Sequence, residues 1–430
     1  MTNDDDIAQS VTPAASPVRG SVTPPGSKSL TNRALLVAAL ADGPSTLTGA
    51  LFSDDTHYMS QALQLAGVSV DQNAAEQTFR VQGRAGGPGP VSDRLFVGNA
   101  GTAMRFLTSY FTLGVGRIVL DGSIRMRERP IADLLASLSS LGASVTSEFH
   151  NGCPPVEIQA SGLPGGLASM PGHRSSQYAS SILLSAPYAA SPITLFIEGK
   201  LTSQPYLDLT TDVMAAFGVQ VTNDHYQAFH LAPGTYQGRQ YAIEPDASAA
   251  SYPLAAAAVT SGTVTVRGLS LQSRQGDIEF ARILRKMGCE VTDAPDGLAL
   301  TGAANLRGIA VDMNACSDVA LTLAAIAPFC SNPTDIRNVG HMRLQETDRI
   351  HAMAAELARA GVQVHERKDG LTIYPSQPRA TAFNTYDDHR IAMSLSILAL
   401  RVPGCSILNP SCVNKTYPGF FDMLDGLVRS

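Results

Sequence analysis

Six stretches of the chain are nearly all apolar at helical spacing, of which Ala34-Leu35-Leu36-Val37-Ala38-Ala39-Leu40 and Leu321-Thr322-Leu323-Ala324-Ala325-Ile326-Ala327 are examples. A helix that is apolar all round has to be buried among neighbours. The six open at Ser27-Lys28-Ser29, Asn99-Ala100-Gly101-Thr102, Ser175-Ser176-Gln177, Asp246-Ala247-Ser248, Ser317-Asp318 and Asp387-Asp388-His389-Arg390. Between them runs a second phrase: a helix end, a glycine, a small or β-branched residue, a variable residue and Val. It occurs at Gly67-Val68-Ser69-Val70, Gly142-Ala143-Ser144-Val145, Gly218-Val219-Gln220-Val221, Gly288-Cys289-Glu290-Val291 and Gly361-Val362-Gln363-Val364. These glycines lie roughly 70–76 residues apart, and a sixth copy is cut off by the C-terminus. Each repeat therefore reads as two helices plus short strands, with glycine as the stop after one helix.

The start of a buried helix presents free N–H groups and a positive dipole end, which suit a phosphate or carboxylate. Ser, Asp, Asn and Pro at such points also serve as ordinary caps. Cations do not cap N-termini. Yet Lys28, Arg33, Arg105, Arg125, Arg127, Arg129, Arg174, Arg343, Arg349, Arg390 and Lys415, about a third of the 31 Lys and Arg, fall in or beside the repeat loops and helix starts. With a net charge of −6, the chain is not built for nucleic acid. An acidic protein that keeps its cations at internal loops points to a small, highly anionic ligand.

At 430 residues the expectation is two or three domains. No apolar run has the length of a membrane span, and the start lacks a signal-peptide pattern. Residues 1–18 read as a mobile polar leader. The six cysteines form no C-x-x-C pair, so they read as buried, reduced thiols of a cytoplasmic protein. Pro25-Gly26-Ser27-Lys28-Ser29 lacks the glycine spacing of a nucleotide phosphate loop, and no G-x-G-x-x-G follows a strand. No histidine spacing suits a metal, and Arg390 beside Asp387-Asp388-His389 argues against a cation there.

Lys28-Ser29-Leu30-Thr31-Asn32-Arg33, Gly98-Asn99-Ala100-Gly101-Thr102-Ala103-Met104-Arg105, Arg127-Glu128-Arg129-Pro130, Ser175-Ser176-Gln177, Asp246-Ala247-Ser248, Glu346-Thr347-Asp348-Arg349, Asp388-His389-Arg390 and Lys415-Thr416 occur in order from about residue 20 to the end. Together they resemble the 5-enolpyruvylshikimate-3-phosphate synthases, or 3-phosphoshikimate 1-carboxyvinyltransferases, of the enolpyruvyl transferase family. The resemblance implies an α/β fold: a two-lobed inside-out α/β barrel of six βαβαββ repeats, three per lobe. Residues 19–25 and 245–430 would form one lobe and 26–244 the other, with the active site in the cleft between them. It implies transfer of the enolpyruvyl group of phosphoenolpyruvate to the 5-hydroxyl of shikimate 3-phosphate through a tetrahedral adduct that expels phosphate. No cofactor and no metal are implied; the substrates are small molecules, with no nucleic acid or membrane partner, and the expected state is a cytoplasmic monomer.

By the same resemblance, Lys28, Ser29, Arg33, Ser175, Ser176, Gln177, Ser203, Tyr206, Asp318, His341 and Gln345 bind shikimate 3-phosphate. Lys28, Asn99, Gly101, Arg129, Gln177, Arg349, His389, Arg390 and Lys415 bind phosphoenolpyruvate. Asp318 takes the proton of the attacking hydroxyl, Glu346 trades one with the substrate methylene, and Lys28 is their acid partner. Three positions depart from the pattern. Gln345 stands where Lys is common, His341 where Asn is frequent, and Phe106 where Pro often follows Arg105. Gln345 supplies no charge, so a Lys restored there is expected to tighten phosphoshikimate binding. Phe106 is expected to alter the helix path and the response to glyphosate. Two other readings stand beside this one. One is the related transferase acting on UDP-N-acetylglucosamine, which usually carries a reactive Cys that the loop near Gly122-Ser123-Ile124-Arg125 lacks. The other is a non-catalytic repeat protein binding an anionic metabolite, for which Asp318 and Glu346 have no use.

Overall fold

Five glycines close helices in the same way. Gly67, Gly142, Gly218, Gly288 and Gly361 all have φ between 81° and 111°, where a side chain would be strained. After each, the chain folds back in a Schellman motif, as where Gly67 N donates to Gln64 O at 2.9 Å and Val68 N to Leu63 O at 3.0 Å. The turn delivers the chain into the hairpin that ends each repeat. One complete repeat is a strand at Asp93–Phe96, a helix at Gly101–Thr112, a strand at Val115–Asp121, a helix at Ala132–Ser140, and strands at Ser144–Ser147 and Val156–Ser161. The first two strands pair in parallel; the last two form an antiparallel hairpin on the second.

A computed structural model describes residues 8–91 and 93–430. It divides into two units, Gly26–Glu244 and the residues up to Pro25 together with Pro245–Ser430. The first unit holds α1 (Lys28–Leu40), α2 (Asp54–Leu65), α3 (Gly101–Thr112), α4 (Ala132–Ser140), α5 (Ser176–Ser185) and α6 (Pro205–Ala216). The second holds α7 (Ala247–Thr260), α8 (Glu279–Lys286), α9 (Ala320–Ile326), α10 (Arg349–Arg359), α11 (His389–Ala399) and α12 (Phe420–Arg429). Each unit carries three small sheets, which remain separate rather than closing into one barrel. The apolar helices lie inside: every residue of α3, α9 and α11 is buried, as is Leu30–Leu40 of α1. The alternate helices bury one face only, as α8 does with Phe280, Ala281, Ile283 and Leu284. Truncating one of these interior leucines to Ala costs roughly 2–5 kcal/mol. No helix among the described residues is long and apolar enough to cross a membrane.

Where the chain passes between units, first strands are exchanged. Arg19–Val22 precedes α1 in sequence but pairs in parallel with Thr263–Val266, after α7. Gln240–Ala242 precedes α7 but pairs with Thr46–Thr48, after α1. The sixth sheet has no hairpin at its end. In its place Ala8–Ser10 runs antiparallel to Ser406–Leu408, while Val11 and Val18 are buried. The expected mobile leader over 1–18 therefore fails for residues 8–18, because the open edge of that sheet offers backbone partners; residues 1–7 lie outside the described residues.

Candidate active site

The expected site residues fall into two groups, one in each unit. In the unit of α1–α6, Ser27 caps α1, and Lys28 on its first turn lies 3.6 Å from Asp55 of α2. Asn99 and Gly101 form the start of α3. Arg129 donates to Asn99 O at 3.3 Å and to Asn99 Oδ1 at 3.2 Å. A Cβ at position 101 would fall under 3.0 Å from both Arg105 Nη1 and Arg129 Nη2. Glycine here leaves room for two guanidinium groups to converge on the start of α3; a side chain would push them aside. Ser175 caps α5 by accepting from Gln177 N at 3.3 Å, and Ser176 follows it, buried. Ser203, with φ 55°, and Tyr206 form the start of α6. Arg33 does not reach the surface, being 1% exposed. It donates to Ser29 O at 2.9 Å and Tyr206 O at 3.0 Å, tying those two helix starts together. Burial lowers its pKa to about 10.

The other unit carries a tighter constellation. Asp318 does not begin an α-helix, as the sequence pattern suggests. It lies in a 3-10 segment, Asn314–Val319, bent at Cys316, ahead of α9. Arg390 Nη2 donates to Asp318 Oδ2 at 2.7 Å, and Arg349 Nη1 to Asp318 Oδ1 at 3.4 Å. Arg349 also pairs with Glu346 at 3.0 Å, and Lys415 Nζ reaches Glu346 Oε1 at 3.1 Å. Both carboxylates of interest are therefore strung on one line of cations. Burial opposes the charge of Arg349, but Asp388 and Glu346 outweigh it and hold the guanidinium protonated. Gln345 turns its Oε1 to Arg349 Nη1. His341 Nε2 lies 2.9 Å from Ser317 Oγ. Burial lowers its pKa to about 4, so it is neutral near pH 7. His389 is fully buried beside Arg390 and Lys415; burial first, then these cations, strip its proton.

The structure separates the cations that the sequence groups together. Arg127 is bound to Asp121 at 2.7 and 2.9 Å, Arg125 to Glu128 at 2.9 Å, and Arg174 lies 3.5 Å from Asp133. Arg343 grips both oxygens of Asp348, which caps α10. These four pair with carboxylates outside the candidate site, whereas Arg349, Arg390 and Lys415 pair with Asp318 and Glu346, which are themselves site candidates, so the cation inventory overstates the ligand's share. Two buried acids escaped sequence reasoning. Asp388 reads only as a cap or a weak metal candidate, yet it holds Arg349 as well as capping α11. Asp277 accepts from Ser248; burial and then the Asp318 charge push its pKa up to about 7. A Gly-Asp pair ahead of a helix was its only signal. Among the described residues, no group of three or more His, Cys, Asp or Glu is placed to hold a metal ion.

Comparison with known proteins agrees with this geometry. Residues 13–424 match the family model of EPSP synthase (3-phosphoshikimate 1-carboxyvinyltransferase). The chain is 46% identical over 406 residues to the 3-phosphoshikimate 1-carboxyvinyltransferase of Trichormus variabilis, covering 94% of this chain and 95% of that one. It is 44% identical over 415 residues to that of a Sulfurovum species, covering 95% and 97%. The solved EPSP synthase of Acinetobacter baumannii superposes with a TM-score of 0.81 at 25% identity, covering 98% of both chains. Motifs, repeat fold and full-length similarity agree, and the chain belongs to the EPSP synthase (3-phosphoshikimate 1-carboxyvinyltransferase) family.

Proposed function

We infer that this chain transfers the enolpyruvyl group of phosphoenolpyruvate to the 5-hydroxyl of shikimate 3-phosphate, with release of phosphate. The observation that carries this is the run Arg390–Asp318–Arg349–Glu346–Lys415, in which two carboxylates share three cations. Together with Asp388, which pairs with Arg349, the carboxylates balance the cations in number. A second anion arriving there upsets that balance. When the phosphate and carboxylate of phosphoenolpyruvate take over Lys415 and Arg349, Glu346 loses partners and its protonated form is favoured. It can then deliver a proton.

In this reading the 5-hydroxyl oxygen attacks C2 of phosphoenolpyruvate and Asp318 takes the hydroxyl proton. Glu346 protonates C3 to give a methyl group in the tetrahedral adduct. The adduct collapses as Glu346 takes a methyl proton back and phosphate departs, protonated by Lys28. Acid–base transfers of this kind contribute typically 10²–10⁴-fold each. Lys28, Ser29, Ser175, Ser176, Gln177, Ser203, Tyr206, Asp318, His341 and Gln345 hold the phosphorylated acceptor. Lys28, Asn99, Gly101, Arg129, Gln177, Arg349, Arg390, Lys415 and the neutral His389 hold phosphoenolpyruvate. Arg33 acts through its neighbours. The proposed state is a cytoplasmic monomer; light scattering of the purified chain checks the assembly.

The test is phosphate release by the purified chain. Release should need both phosphoenolpyruvate and shikimate 3-phosphate together. No release with that pair, or release with UDP-N-acetylglucosamine as acceptor, would overturn the assignment.

A further inference from the structure

We propose that Phe106 is a positioning residue for the phosphorylated acceptor, acting through Arg33 on the starts of α1 and α6. The proposal rests on the assignment of Lys28, Ser29, Ser203 and Tyr206 to that substrate. Arg33 is a buried cation, and no carboxylate pairs with it among the described residues. Its N–H groups go to neutral acceptors: Nε to Thr210 Oγ1 at 2.8 Å, Nη1 to Ser29 O, and Nη2 to Ser180 Oγ at 3.3 Å and Tyr206 O. Phe106, fully buried on α3, presents its ring to this guanidinium with Cζ 5.3 Å from the centroid. An aromatic face attracts a desolvated cation through its quadrupole, which an aliphatic side chain or proline cannot do.

Two of the Arg33 hydrogen bonds end on the carbonyls of Ser29 and Tyr206, in the first turns of α1 and α6. The guanidinium therefore ties together two helix starts that carry acceptor-binding side chains, and the ring holds it in the plane that reaches both. The start of α3 has separate anchors. Arg105 Nη1 donates to Gly101 O at 2.8 Å, its guanidinium lies 5.8 Å from the Tyr178 ring centroid, and Ser181 Oγ donates to Arg105 O at 2.5 Å. Losing the Phe106 ring should thus loosen the acceptor side more than the phosphoenolpyruvate side.

Phe106→Leu stays apolar with a modest loss of volume and removes the ring face. Calorimetry with shikimate 3-phosphate alone should show a Kd raised by about 5–30-fold, the range of a desolvated cation–π contact. The KM for phosphoenolpyruvate should change by less than about 3-fold, within the scatter of an indirect effect. On an Arg33→Gln background, where no cation faces the ring, the same substitution should add little, because its route of action is gone. Phe106→Met, with the same readouts, serves if the Leu variant does not fold. An unchanged acceptor Kd, a larger effect on phosphoenolpyruvate, or additive effects with Arg33→Gln would each overturn the proposal. A parent protein that turns over normally while these outcomes appear would leave the assigned reaction standing. A parent that does not bind shikimate 3-phosphate would remove both.

Discussion

Arg349 and Asp388 meet at two points, Nε to Oδ2 at 2.8 Å and Nη2 to Oδ1 at 3.2 Å, with Asp388 fully buried. The same carboxylate caps α11 by accepting from Arg390 N at 2.9 Å. One side chain thus fixes two of the three arginines assigned to phosphoenolpyruvate, Arg349 by its guanidinium and Arg390 by its backbone N–H. Asp388→Asn keeps a capping oxygen and removes the charge. Breaking a buried pair costs roughly 3–5 kcal/mol, toward the lower end here because Asp318 and Glu346 still face Arg349. Urea unfolding should show that loss, and KM for phosphoenolpyruvate should rise. A variant as stable as the parent would show that Asp388 is dispensable to Arg349.

Asp318→Asn preserves shape and hydrogen bonding to Arg390 but cannot accept a proton. We expect kcat to fall by roughly 10²–10⁴, with a modest change in acceptor affinity. Rates and calorimetry on one sample check both halves. Near-normal turnover would remove Asp318 from proton transfer.

Gln345→Lys reverses sign between sequence and structure. The family pattern suggests that a lysine should restore a missing charge and tighten acceptor binding. In the fold, Gln345 Oε1 accepts from Arg349 Nη1, and the neutral His341 does not stand in for a cation. A lysine would replace that acceptor with a positive charge facing Arg349, and like charges about 4 Å apart repel by about 4 kcal/mol before relaxation. The acceptor Kd of Gln345→Lys should therefore be equal to or weaker than the parent's. Tighter binding would mean that the Gln345–Arg349 contact is not the one that matters.

Asp277 makes stability depend on pH. Its folded pKa of about 7 lies above the ordinary carboxyl value of 3.8, so the folded state holds a proton that the unfolded chain releases. Stability tied to this group is fully present below pH 3.8, declines as pH rises toward 7, and is lost above it. Asp277→Asn removes that decline. The variant's advantage in unfolding free energy should grow between pH 4 and 7 by up to about 4 kcal/mol, then level off. A pH-independent difference would mean that Asp277 is ionised in the fold.

Much of this architecture was legible because it is local. Gly67, Gly142, Gly218, Gly288 and Gly361 mark helix ends since each needs positive φ, and Ser27, Ser175, Asp246 and Asp388 mark starts since each caps one. Pairings between distant segments were not. Nothing within Arg19–Val22 names Thr263–Val266 as its partner, and Ala8–Ser10 reads as polar leader until the open edge at Ser406–Leu408 is known. The charge inventory failed for the same reason: Arg127 and Arg343 look like Arg129 and Arg349 until Asp121 and Asp348 are found beside the first two. The roles of Asp277 and Asp388 depend on burial, which composition does not reveal.

In the proposed reaction Glu346 gives a proton to the phosphoenolpyruvate methylene and takes one back. Running the reaction in D2O and examining the product by NMR or mass spectrometry tests this most directly. Exchangeable protons then come from solvent, so the adduct's methyl group gains a deuterium and elimination removes one of three hydrogens. The product formed by the parent should carry deuterium in its enolpyruvyl methylene, and Glu346→Gln should turn over at least about 10²-fold more slowly. Product free of deuterium, or undiminished turnover by Glu346→Gln, would contradict this role of Glu346.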